Sequence, residues 1–196
     1  MRFTGKCFTA SLALTLASCF VWQRVLAEDA KAAHDHAVVE ALLRLPAGTL
    51  AEHPEQRDAV LRFLSRSSGT PRYLEVAKLL EVFDQTDELV KLASSVPFNT
   101  LAVEAAGVLL QHEQLAAIEA VIARGVDGPE AEARAVSALR AVGYVDVALS
   151  RDFLLRLVGD TSGNRQLRSA AAAALGHTEA GQRALLELVQ TGKVTE

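Results

Sequence analysis

The residues that could do chemistry in this chain are few and scattered. His34-Asp35-His36 has the composition of a metal site, but side chains two apart point to different sides of a helix and no third ligand stands nearby, so the stretch reads as solvated. His53, His112 and His177 fall in turns beside polar residues, with no acid–base partner in view. Ser67-Ser68-Gly69 and Thr161-Ser162-Gly163-Asn164 lack phosphate-loop spacing and a following Gly-Lys, and read as turns. Glu179 and Glu187 read as a solvated face rather than a carboxylate pair. Arg165, Arg168 and Arg183 are a candidate small anion site near the last turn, or they lie over apolar surface. Both cysteines, Cys7 and Cys19, precede all of these, which leaves the body without a disulfide, a thiolate ligand or a cysteine nucleophile.

The amino terminus explains where the cysteines lie. Arg2 and Lys6 make a basic start, Phe8 to Trp22 is an apolar run, and Val25-Leu26-Ala27 offers small residues at a cleavage point, so residues 1–27 read as a secretion signal and the mature chain begins at Glu28. That places the protein in the periplasm or outside the cell. Leu16-Ala17-Ser18-Cys19 offers an alternative, a lipoprotein cleavage that leaves Cys19 acylated and ties the chain to a membrane; an uncleaved anchor would need a longer apolar run. Removal of residues 1–27 leaves 17 basic and 24 acidic residues, a formal charge of −7, which disfavours nucleic acid as a partner.

Beyond the signal, Ala and Leu dominate and aromatics make up 5%, a composition for close-packed helices. Glu28 to Asp35 reads as a flexible leader over 28–35. Helices follow through Val38 to Leu43, from Pro54 to Ser65, and from Thr70-Pro71 to Phe83, where a hydroxyl cap precedes proline at the first helical position. Thr86 caps a shorter helix, Asn99 opens Thr100 to Leu110, and a partner near Glu113 to Arg124 ends at Gly125 as a left-handed stop. Pro129 to Val142 and Asp152 to Val158 form the next pair.

The stretch from Asn164 to Gln190 shows one complete helical hairpin. Its first helix presents Ala170, Ala171 and Ala174 and stops at Gly176; its second supplies bulk through Leu185, Leu186, Leu188 and Val189, so that small side chains meet large ones. Phe153 to Val158 aligns with Ala184 to Val189 at a spacing of 31, and Ala138-Leu139 with Ala174-Leu175 at 36. Repeated helix pairs that cannot each bury both faces predict an all-α solenoid of about four or five hairpins over 36–196.

Arg168 to Gly176, RSAAAAALG, resembles the first helix of HEAT-like repeats of the PBS-lyase type. Leu43 to Leu79 and Leu167 to Val194 also resemble the helical segment of large secreted planctomycete-type proteins, in which such repeats precede a c-type cytochrome domain and often follow a dehydrogenase domain. That resemblance implies a non-enzymatic module whose protein partner is a c-type cytochrome or a dehydrogenase. No cysteine follows Cys19, so the family's Cys-x-x-Cys-His haem motif has no counterpart, and no cofactor is expected. The same repeat type also occurs in lyases and metal-binding hydroxylases, but the five histidines do not recur at repeat spacing as a hydroxylase would require. The repeat array reads as cut short after the final hairpin, as a fragment, a split gene or a subunit completed by a partner, with Leu185, Leu186, Leu188, Val189 and Arg168 as the candidate contact residues.

Overall fold

The computed structural model describes residues 26–46, 49–83 and 85–191. Among them there are eleven α-helices and no strand. Residues 1–25, which hold most of the expected secretion signal and Cys19, lie outside the described residues. The chain divides after Ser67 into two compact units.

The first unit holds α1 (residues 26–42), α2 (Thr49–Glu52) and α3 (Pro54–Arg66). Val39 and Leu42 from α1, Leu50 from α2, and Ala59, Val60 and Leu64 from α3 form its core. Residues 28–35 are helical rather than a flexible leader, and the reason is Asp35. Its carboxylate is fully buried and accepts hydrogen bonds from Arg62 Nε at 3.1 Å, Arg62 Nη2 at 2.7 Å and Arg66 Nη2 at 2.7 Å. A buried carboxylate is tolerated only when paired and hydrogen-bonded, and these three charge-assisted bonds anchor α1 to α3.

The second unit runs as four helix pairs. The first helices are α4 (Pro71–Leu79), α6 (Thr100–Gln111), α8 (Pro129–Gly143) and α10 (Arg165–Leu175); their partners are α5 (Thr86–Ala93), α7 (Leu115–Ala123), α9 (Ala148–Gly159) and α11 (Glu179–Gln190). Side-chain oxygens cap several of the starts. Thr70 accepts from the Tyr73 N–H, Asn99 from Ala102, Asn164 from Gln166 and Leu167, and Thr178 from Gly181. Thr86 is the first helical residue rather than a cap: Gln85 holds the cap position, and its side chain makes no capping hydrogen bond to the helix start.

Consecutive first helices pack on one another, α4 with α6, α6 with α8 and α8 with α10, while α5 packs on α6, α7 on α8 and α9 on α10. The core is correspondingly built from small residues and leucines: Ala102, Ala105, Ala106 and Leu109 on α6, Ala135, Ala138, Leu139 and Val142 on α8, and Ala171, Ala174 and Leu175 on α10.

Two first helices end in the same way without a glycine. Val82 N–H donates to the Ala77 carbonyl at 2.9 Å, and Gln114 N–H to the Leu109 carbonyl at 2.8 Å, with Glu81 and Glu113 in the left-handed region at φ 54° and 57°. These ends lie 32 residues apart, a repeat that the side chains do not announce. Gly125, by contrast, is not a left-handed stop. It is buried in a 3-10 turn, Arg124–Val126, where a Cβ would lie 2.8 Å from Ala135 Cβ and 3.2 Å from Leu167 Cδ1; close approach, not φ, requires glycine there. Gly143 has the same role between α8 and α10, since its Cβ would meet the Ala174 carbonyl oxygen at 2.5 Å and Ala174 Cα at 2.8 Å.

Candidate interaction surfaces

The alanine face of α10 is buried, but against a different neighbour from the one expected. Ala171 and Ala174 are covered mainly through α8 and α9, and contact with α11, its own hairpin partner, is slighter. The expected meeting of small and large side chains within the hairpin is therefore replaced by small on small, Ala174 against Gly143, between consecutive first helices. A close backbone approach needs both sides small, and the Ala/Gly pair supplies that.

The leucines of α11 are consequently left over. Leu185 and Leu188 are half-buried, Leu186 is 58% exposed and Val189 is 55% exposed. One repeat earlier, two of the aligned residues of α9 are inside, Leu154 at 2% exposed and Val158 at 3%, while Leu155 and Leu157 are half-buried. Val158 lines a surface pocket together with Arg168, Ser169 and Ala172 of α10.

Arg168, half-buried, lines that pocket of about 370 Å³ together with Thr161, Gly163 and Arg165. Its Nε is buried and has no hydrogen-bond partner. Arg183, the third arginine of the expected anion site, instead pairs with Glu179 along α11. Asp160 adds a carboxylate near Arg168: the Ser162 hydroxyl and N–H donate to it and hold it below the usual carboxylate range, with Arg168 contributing charge. Two arginines facing one acid make a mixed surface rather than a strongly cationic one.

The histidines do not gather into a catalytic or metal site; among the described residues no group of three or more potential metal ligands occurs. Three of the five, His36, His112 and His177, stack on aromatic rings instead. His112 lies 3.6 Å from Phe83, ring centroid to centroid, and His177 lies 4.1 Å from Tyr144, which in turn stacks on Phe98 at 5.9 Å. The Arg140 guanidinium sits 4.3 Å over Phe98. Phe83, His112, Tyr144 and His177 all follow the end of a first helix, a regularity visible in the sequence once the helix ends are known. In the first unit His36 stacks on Phe63 at 5.8 Å, and His53 Nδ1 is 3.2 Å from Glu55 Oε1.

Ionic contacts also join successive pairs. Lys78 on α4 reaches Glu104 on α6 at 3.2 Å, and Arg156 on α9 reaches Glu119 on α7 at 3.0 Å. Among the described residues no helix is long and apolar enough to cross a membrane. No family model matches the chain, and no curated protein or solved structure matches it either.

Proposed function

We propose that the protein is a secreted, non-enzymatic helical-repeat scaffold, a HEAT-like α-solenoid that binds a protein partner in the periplasm, a c-type cytochrome or a dehydrogenase. The observation that supports this reading best is the pairing of α9 with α11. Two helices of nearly the same sequence differ in exposure, Val158 being 3% exposed and Val189 55%, and exposed apolar side chains grouped on one helix are a candidate contact surface. The stacking of consecutive first helices agrees with a solenoid, and the residue types at Arg168 to Gly176 agree with its HEAT-like character.

Chemistry is assigned to the partner because three of the five histidines are occupied in ring stacks and the arginine pocket is open and mixed in charge. The test is co-purification of the full chain from its native periplasm, with haem staining and light scattering. A defined complex with a c-type cytochrome or dehydrogenase is expected; a monomer that brings neither would reject the reading. Mass spectrometry of the mature amino terminus tests the location separately. A free Glu28 is expected, whereas an acylated Cys19 would make the protein a lipid-anchored adaptor.

A further inference from the structure

A cleft of about 490 Å³ lies in the second unit, where α5, the turn that follows it and the first turns of α8 meet. Leu92, Val96 and Leu101 give it an apolar lining, and Glu88, Lys91, Ser95, Asn99, Glu130 and Arg134 supply polar groups. That is the make-up of a small-ligand site, in which apolar walls carry a few polar groups that fix orientation.

Much of the polar lining is already held by bonds within the protein. The Ser68 hydroxyl donates to one carboxylate oxygen of Glu88, and Lys91 Nζ lies 3.6 Å from the other. Asn99 Oδ1 accepts from the Ala102 N–H at 3.0 Å, and the Ser137 hydroxyl donates to the Ser95 carbonyl at 2.5 Å. What these bonds leave over is mostly donors. Among the described residues the Arg134 guanidinium and the Asn99 amide N–H groups make no hydrogen bond or ion pair. Ser95 Oγ is buried with no partner at all. Because it makes no bond where it lies, a turn about χ1 toward the cleft forfeits none, and an acceptor placed there would satisfy it. Against these donors stands Glu130, on the same helix as Arg134 and not paired with it.

We propose that the cleft binds a carboxylate on a short aliphatic body, held by Arg134, with Ser95 and Asn99 donating to its oxygens and the body lying on Leu92, Val96 and Leu101. Guanidinium and carboxylate match in plane and spacing, so one arginine takes both oxygens. A free N-acyl amino acid offers this group, and so does the carboxyl end of another polypeptide. The site needs no partner protein and so goes beyond the scaffold reading.

The probe is N-acetyl-leucine, titrated into the isotope-labelled full chain and followed by NMR. Saturable shifts at Ser95, Asn99 and the first turns of α8 are expected, with a dissociation constant on the order of 1 mM for so small a ligand. N-acetyl-leucine amide, the same body without the charge, leaves these signals unmoved. Arg134→Gln, at an exposed position, weakens binding about tenfold and Ser95→Ala about threefold, while the circular dichroism spectrum is unchanged. Glu130→Gln tightens binding about twofold, because it removes a like charge beside the carboxylate. N-acetyl-Ala-Ala-Leu separates the two sources: binding more than about tenfold tighter assigns the cleft to a chain end, and equal binding assigns it to the free acid.

Absence of saturation at about 20 mM N-acetyl-leucine overturns the proposal, as does equal binding of the amide or indifference to Arg134→Gln. Shifts centred on Arg165 and Arg168 overturn it as well, since they would mean that the carboxylate follows exposed arginines and not this cleft.

Discussion

α9 and α11 carry nearly the same apolar string, FLLRLV and ALLELV, yet Phe153, Leu154 and Val158 are core while Leu186 and Val189 are exposed. Helix formation does not separate them: each is twelve residues long and follows a residue in the extended region, Val147 and Thr178. The difference is the neighbour. α10 lies against α9, and no described helix stands in the same relation to α11. Amphipathic pattern therefore specifies which side of a helix needs covering, but the cover itself belongs to another element.

The comparison predicts unequal costs for equal truncations. Leu154→Ala should destabilise the protein by about 2–5 kcal/mol, as for a buried leucine that leaves a cavity, and Leu185→Ala by under about 1 kcal/mol. Chemical denaturation of the two variants checks this, and equal costs would mean that α11 is covered after all. Glycines sharpen the same contrast. Gly143→Ala forces a methyl group into the Ala174 backbone and should cost about 1–3 kcal/mol. Gly159→Ala, at the end of α9 with nothing within 4 Å of a new Cβ, should be neutral or stabilise by about 0.5 kcal/mol.

The buried carboxylate of Asp35 gives a pH version. The guanidinium of Arg62, aided by Arg66, holds Asp35 down from 3.8 to about 2 against the opposing effect of burial. Because the folded value is the lower one, this stabilisation is complete above about pH 4 and is lost as pH falls toward 2. With the arginine ends partly in solvent, it amounts to about 1–2 kcal/mol. Asp35→Asn should remove that loss from an acid titration of stability. The smallest effect is expected at Arg156→Ala, under about 1 kcal/mol, because its ion pair with Glu119 is solvent-exposed; the same measurement on Glu119→Ala should give a similar value.

Much of this architecture was legible in residue types. Thr70-Pro71 and Asn99 mark helix starts because a side-chain oxygen followed by a helix former has a local reason to cap, and the structure shows the bonds at both. Asp35 was not legible. It sits among alanines and histidines in a stretch whose composition reads as solvated, and its partners lie 27 and 31 residues away in sequence. The helix ends at Glu81 and Glu113 were hidden for a related reason: the left-handed stop is usually signalled by glycine, and here the 6→1 hydrogen bond and surrounding packing hold a non-glycine residue in it. Gly125 misled in the opposite sense, because a sequence does not reveal whether a glycine provides torsional freedom or room for a neighbour.

What the sequence determined by itself is local and periodic: where helices begin, which face of each is apolar, and that helix pairs recur at 31 to 36 residues, since these follow from backbone hydrogen bonding and side-chain spacing within a few turns. What only the tertiary structure decided is partnership. The alanines of α10 went to α8 rather than to the leucines of α11, Asp35 to two arginines, and three of the histidines to aromatic rings, because the choice among chemically acceptable neighbours depends on contacts between residues far apart in the chain.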